Sequence, residues 1–244
     1  MRIAVISDIH ANLHALEAVL AAIDTERADE LWCLGDLVGY GPKPNECVAL
    51  VRERASTCLV GNHDLAVLEQ LELELFTDEA AAAAAWSRGV LEPDAAAFLG
   101  SLAPAGRREG VALAHGSPRD PVWEYVLSAA AGEAALAATA EPLVLVGHSH
   151  VALALGSAED GVVAGGKAPA GTAVALGAGR RHVLNPGSVG QPRDGDPRAA
   201  WIVIDGDSGW ATFCRTDYPI ESTQSEMRAL PLPEVLAERL AHGV

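Results

Sequence analysis

The sequence predicts an α/β fold in which two sheets pack together with helices outside. Two observations lead there. Through the first half, short apolar runs that suit buried strands alternate with stretches of helical periodicity. The second half is then rich in short strands separated by Gly, Pro and Asp. A third observation bears on function: the apolar runs keep ending in Asp, Asn or His, at the strand ends where α/β sheets build their sites.

Ile3-Ala-Val-Ile6 reads as a buried strand running straight into Asp8-Ile-His10. A carboxylate and an imidazole fixed this closely by a tight loop can close on one divalent cation. The helix that follows has Asn12 as its cap. His14 lies four residues after His10, but Ala11 stands where a helical zinc motif carries glutamate, so His14 is read as a packing or surface residue. Leu31–Leu34 is a second strand ending in Gly35-Asp36, followed by the Gly- and Pro-punctuated loop Leu37–Pro44. Asn45 is predicted to cap the next helix, through Arg52. Thr57–Val60 is a third strand, leading into Gly61-Asn62-His63-Asp64. Asp64 either orients His63 or caps the next helix.

From Leu65 to about Leu102 the pattern is helical, with a break at Pro93-Asp94. This insertion is expected either to pack as a helix pair filling out the fold or to cap a site, within a single domain spanning residues 1–244. Val111–Ala114 is a strand ending in His115-Gly116, and a loop with Trp123 and Tyr125 leads into an alanine-rich helix. Leu143–Val146 runs into Gly147-His148-Ser149-His150. Further strands are expected at Val151–Leu155, Thr172–Leu176, Arg181–Leu184, Ala200–Ile204 and Trp210–Arg215. Gly165-Gly166 reads as a hairpin tip, Asn185–Arg193 as a long turn-forming loop, and Pro231 onward as a final surface helix.

Five of the eight histidines, His10, His63, His115, His148 and His150, fall just beyond predicted strands. With Asp8, Asp36 and Asn62 they form a nitrogen/oxygen set large enough for two cations. No cysteine joins it, which argues against a structural thiolate zinc site. The four cysteines lack a C-x-x-C pair and are read as reduced thiols of a cytoplasmic protein. The formal charge of −16, from 17 basic and 33 acidic residues, argues against nonspecific nucleic-acid binding and against an anionic membrane surface. It leaves room for a small anionic substrate, because bound cations reverse the local sign.

The ordered set Asp8-x-His10, Gly35-Asp36, Gly61-Asn62-His63-Asp64, His115-Gly116 and Gly147-His148-Ser149-His150 resembles the calcineurin-like metallophosphoesterases. The wording around Asp8, Asp36 and Asn185–Arg193 is most similar to their small bacterial and archaeal members. The resemblance implies a four-layer α-β-β-α sandwich of two mixed sheets flanked by helices. It implies that Asp8, His10 and His150 bind one metal, that Asn62, His115 and His148 bind a second, and that Asp36 bridges ions about 3.5–4 Å apart. A bridging hydroxide would attack phosphorus in line, with His63 stabilising the transition state or protonating the leaving oxygen. Manganese is the expected metal, with Fe, Zn, Ni or Co also suited to these ligands.

The expected substrate is a small phosphorylated or nucleotide-like molecule, with phosphodiesters favoured. Alternatives are a phosphomonoester, a nucleoside polyphosphate or a phosphoprotein, or a metal-binding scaffold without catalysis. Gly39 and Tyr40 stand where many phosphoprotein phosphatases of the superfamily carry an aspartate and an arginine, which weakens that alternative. Arg193 is expected either on the substrate phosphate or in a surface ion pair. Asn12 and Tyr40 are further candidates for substrate contact.

Overall fold

A computed structural model describes residues 1–158, 161–177 and 179–244. Two six-stranded mixed sheets pack face to face. The first runs β3 (Thr57–Cys58), β2 (Glu30–Cys33), β1 (Arg2–Ile6), β11 (Ala199–Asp205), β12 (Trp210–Thr216), β9 (Ala173–Ala175). The second runs β4 (Ala105–Arg108), β5 (Val111–Ala114), β6 (Leu143–Val146), β10 (His182–Asn185), β7 (Leu153–Ser157), β8 (Val163–Lys167). Each sheet has a parallel trio, β1–β3 in one and β5, β6 and β10 in the other, with antiparallel strands alongside.

The apolar runs are continuous because both faces of each sheet are covered, and successive side chains point to opposite faces. Ile3 and Val5 enter the layer between the sheets, with Trp32, Leu34, Leu145, Leu184, Ile202 and Phe213. Ala4 and Ile6 point the other way, under α1 (Leu13–Glu26) and α2 (Pro44–Arg54), with Leu16, Val19, Val48 and Val51. On the far side, Val144, Val146 and Val183 meet Ala135 and Leu136 of α6 (Ala129–Ala137). The result is the expected four-layer order of helices, sheet, sheet and helix.

Several local expectations change. Residues 62–102 form three helices, α3 (Asn62–Val67), α4 (Asp78–Val90) and α5 (Pro93–Gly100), with a 3-10 turn at Leu73–Leu75. Asn45 does not cap α2, which begins one residue earlier at Pro44. Its side chain instead donates to Val90 O and accepts from Glu92 N, tying α2 to the α4–α5 junction. Gly165 and Gly166 lie within β8, not at a hairpin tip. There a side chain on Gly165 would strike Ala154 O at 2.1 Å, so the close approach to β7 sets the residue. Strand β4, too polar to stand out in sequence, and helix α7 (Ile220–Arg228) were not anticipated. The final helix, α8, is short, at Glu234–Glu238.

Candidate metal centre

The carboxyl ends of the two parallel trios meet at one edge of the sandwich. Asp8 and His10 follow β1, Asp36 follows β2, and Asn62 and His63 open α3 after β3. His115 follows β5, and His148 and His150 follow β6. All eight are buried, at 4% exposure or less. Strands with interior faces closed on both sides can place polar groups only where the chain leaves the sheet, and two sheets packed in register bring those exits together.

The loops hold unusual backbone. Asp8, His10, Ala11, Asp36, Tyr40, His148 and His150 all have left-handed φ between 49° and 63°. Such conformations cost free energy for residues with a Cβ and persist only when the surroundings enforce them. Here the enforcement is visible. Ile9 N and His10 N both donate to Asp36 O, and Ala11 N donates to Leu37 O. Asp64 accepts from Leu37 N and Val38 N through one oxygen and from Gly61 N through the other. That settles the choice for Asp64, which braces the Asp36 loop and the start of α3 and makes no bond to the His63 ring. From the far side Asn185 donates to Gly147 O and Ser149 Oγ, and Ser188 Oγ donates to Asp8 O.

Ring orientation follows from these carbonyls. His10 Nδ1 faces Val38 O at 3.0 Å, His115 Nδ1 faces Leu34 O at 2.9 Å, and His150 Nδ1 faces Gln191 O at 2.6 Å. A carbonyl only accepts, so each Nδ1 carries the proton and donates, and in a neutral ring the Nε2 lone pair turns inward. Burial holds His10 and His150 well below the usual imidazole range and brings His148 down to about 3, which favours those neutral rings.

Acceptors then confront acceptors. His10 Nε2 and His150 Nε2 are 3.0 Å apart, and His150 Nε2 is 3.3 Å from Asp8 Oδ1. His115 Nε2, 3.1 Å from Asn62 Oδ1 and 3.4 Å from Asp36 Oδ2, is the exception, since without a cation a proton on this nitrogen bridges to those oxygens. Asp8 Oδ1 and Asp36 Oδ2 are buried with no hydrogen-bond partner. Electron pairs cannot be held this close in a low-dielectric interior without a proton or a cation among them. Burial, opposed by His115, pushes Asp8 up to about 7. Asp36 resists the same burial because His115, His63 and His10 hold it well below the carboxylate range, and the two carboxylates in turn raise His115 to about 9. The ligand atoms fall into two groups, Asp8, His10, Asp36 and His150, and Asp36, His115 and His148. Within each group they lie within 4.8 Å of one another, and Asp36 belongs to both. An oxygen/imidazole donor set of this kind fits hard to borderline divalent cations.

His63 sits beside this set. Its backbone N donates to Asp36 Oδ1, while its ring packs against His10, Tyr40 and Phe76 with Nδ1 unpartnered. Burial brings its ring down to about 4. Arg193 makes none of the ion pairs among the described residues. It donates to Tyr40 OH and Gln191 Oε1, and its Nε is buried without a partner. The polar atoms of Asn12 are engaged within the fold. Its Oδ1 accepts from Ala15 N and Thr223 Oγ1, and its Nδ2 donates to Gly190 O, so it caps α1 and ties that helix to α7. His14 is a partly exposed residue 3.5 Å from Glu226.

The site opens into a cleft of about 530 Å³ lined by Tyr40, Asn62, His63, Phe76, Trp123, Tyr125, His148, Arg193 and Arg239, among others. The sequence offered the segment over 65–102 as a possible cap without singling out Phe76, and Arg239 carries no local signal; both reach the cleft through the folding of the helical segments.

A sequence profile described as the calcineurin-like phosphoesterase superfamily domain matches residues 1–208. The chain belongs to that superfamily. A crystal structure of a metallophosphoesterase from Sphaerobacter thermophilus is 43% identical, with a TM-score of 0.89 over 100% of this chain and 99% of that one. A hypothetical protein from Pyrococcus horikoshii shares the fold at 19% identity, with a TM-score of 0.78 over 100% of this chain and 98% of its own. An uncharacterised protein of Methanocaldococcus jannaschii is 36% identical over 247 residues, 99% of this chain and 98% of its own length. A symmetrical bis(5'-nucleosyl)-tetraphosphatase of Actinobacillus pleuropneumoniae is 37% identical over 70 residues, 28% of this chain and 26% of that protein. As a metallophosphoesterase, the protein is a hydrolase of phosphate esters. Among the described residues, no helix is long and apolar enough to cross a membrane.

Proposed function

We propose that the protein is a two-metal phosphoesterase. In this reading Asp8, His10 and His150 hold one divalent cation, Asn62, His115 and His148 hold another, and Asp36 holds both, with manganese the expected metal. The observation that carries it is the convergence of buried ligand atoms into two groups that share Asp36, with acceptor facing acceptor in the first. When bound, the cations would supply Lewis acidity at the phosphoryl oxygens and a nucleophile of lowered pKa near neutrality.

The chain's own residues do the rest. The carbonyls of Leu34, Val38 and Gln191 fix the ring orientations. His63 presents its ring to the cleft, where it can hold a proton at the leaving oxygen or stabilise charge there. Arg193, oriented by Tyr40 and Gln191, offers its guanidinium to a phosphoryl oxygen. The cleft extends from Arg193 and Tyr40 past His63 to Phe76 and Trp123, giving room for a substituent on each side of phosphorus. That room supports a phosphodiester over a monoester. In this reading the helical segment over 65–102 caps the site, through Leu75, Phe76, Thr77, Glu79 and Ala80, within one working domain spanning 1–244. Four free thiols fit a reducing cytoplasm. A nucleoside polyphosphate is the second reading, supported by the short stretch shared with the tetraphosphatases.

The test is hydrolysis of bis(p-nitrophenyl) phosphate beside p-nitrophenyl phosphate, on metal-stripped protein resupplied with Mn²⁺. The diester is expected to be cleaved faster. His63→Ala is expected to lose about 10²–10⁴-fold in kcat with bound metal unchanged, because the bond from His63 to Asp36 is made by the backbone and survives the substitution. Equal turnover by His63→Ala would refute its role.

A further inference from the structure

The cleft carries aromatic side chains that the hydrolytic chemistry does not require. Phe76 packs on His63 with ring centroids 5.1 Å apart, and Trp123 packs on Phe76 at 5.3 Å. Trp123 also lies 6.4 Å from His148, while Tyr125 stacks on His148 at 4.2 Å and 14°. The rings come from two separate segments: Phe76 leads into α4, and Trp123 and Tyr125 lie between β5 and α6. They form a wall that starts at His63 and runs outward along the mouth of the cleft.

Cores bury aromatic rings completely, whereas of these only Phe76 packs against the core, and on one side. Phe76 and Trp123 are partly exposed, and Tyr125 is 48% exposed. Partly open rings around a cavity of about 530 Å³ are the arrangement that receives a flat π-system. Charge narrows the class further. In a chain of 17 basic and 33 acidic residues, this cleft is lined by two arginines, Arg193 and Arg239, against the single carboxylate side chain of Glu79. A ligand that suits both features is anionic near His63 and Arg193 and planar aromatic farther out.

We infer that the cleft selects nucleotides, with the nucleobase stacked on Trp123 and Phe76 and the phosphate held by Arg193. This rests on the phosphoesterase reading of the site and specifies its substrate class. A base one pentose away from phosphorus reaches past the ring next to His63 to the next one, the order in which Phe76 and Trp123 stand. Trp123 and Phe76 are thus specificity-determining residues that touch the substrate away from its reacting atoms.

The experiment separates base recognition from hydrolysis. Metal-free protein is titrated calorimetrically with adenosine 5'-monophosphate and with ribose 5-phosphate, which differ only in the base. The nucleotide is expected to bind about tenfold tighter, on the low side of what base–aromatic stacking supplies. Trp123→Ala should cut that ratio several-fold, while Trp123→Phe should keep most of it. Phe76→Leu, which retains apolar bulk without a ring, should lower it independently should Trp123→Ala fold poorly. Equal affinities in the unaltered protein would overturn the inference, as would an undiminished ratio in folded Trp123→Ala. A phosphotyrosine peptide that binds tighter than the nucleotide would overturn it in favour of a phosphoprotein ligand. Hydrolysis of bis(p-nitrophenyl) phosphate on the Mn²⁺-loaded protein is read in parallel. Its absence together with a tenfold ratio would overturn the phosphoesterase reading and leave the nucleotide site standing.

Discussion

The two ends of the same strands are built on opposite principles. At the amino ends of β1 and β2 the charged side chains Arg2 and Glu30 have partners. Glu30, at the start of β2, accepts from Arg108 Nε and Nη2, Trp32 Nε1 and Ser56 Oγ. Arg2, at the start of β1, binds the backbone and carboxylate of Glu26. At the carboxyl ends, Asp8 and Asp36 keep unpartnered oxygens in full burial, ring nitrogens face one another, and seven of the ten described non-glycine residues with left-handed φ are gathered. One end lowers the energy of the fold. The other stores strain and electrostatic conflict that a cation relieves, which is why function is located there.

The largest test of this contrast is Asp36→Asn. It removes the charge common to both ligand groups, so metal-dependent hydrolysis should fall on the order of 10³-fold or more. Bound metal, read by elemental analysis, should drop below two per chain. Full metal content with unimpaired turnover would break the contrast.

Gly61→Ala probes how tightly the carboxyl-end loops are packed. A Cβ there would stand 2.1 Å from Asp36 Oδ1 and 2.6 Å from Asp36 N, so Asp36 must move. Displacing a central group by this much should cost about 10²-fold in kcat/KM, together with about 1–3 kcal/mol of stability. Gly206→Ala, at the other end of the sandwich, meets only Met1 O at 3.2 Å and should leave kcat/KM unchanged.

The smallest effect belongs to the amino end. Hydrogen bonds from Arg108 and then Trp32 hold Glu30 at about 2, below its ordinary 4.5. The folded value is depressed, so its stabilisation is complete above about pH 4.5 and is lost as pH falls toward 2. Thermal melts of Glu30→Gln should match the unaltered protein near pH 2 and fall below it above pH 5. The gap should be at most about 1 kcal/mol, or roughly 2–4 °C in Tm, with kcat/KM unaffected. A gap that widens toward pH 2 would show that the charge of Glu30 does not stabilise the fold.

What the sequence by itself determined was most of the apolar strands and the polar residues at their ends, while the parallel pairing of β10 with β6 was decided in the fold. Each signal is local: an apolar run marks a strand buried on both faces, and Asp8, Asp36, Asn62, His115, His148 and His150 follow such runs within a few residues. The order of those exits carried the family and, with it, the layered fold. Tertiary structure alone decided what depends on groups distant in the chain. Asn45 bonds to residues 90–92 and so leaves the cap of α2. Asn12 is drawn between α1, α7 and Gly190. Polar β4 gains strand structure only from its ladder with β5. Phe76 becomes part of the cleft wall because α3 and α4 fold it back onto His63. Local pattern reports which backbone state a segment prefers and which face is apolar. Where a side chain finds its partner is fixed by packing between elements, and no window of sequence contains both halves of such a contact.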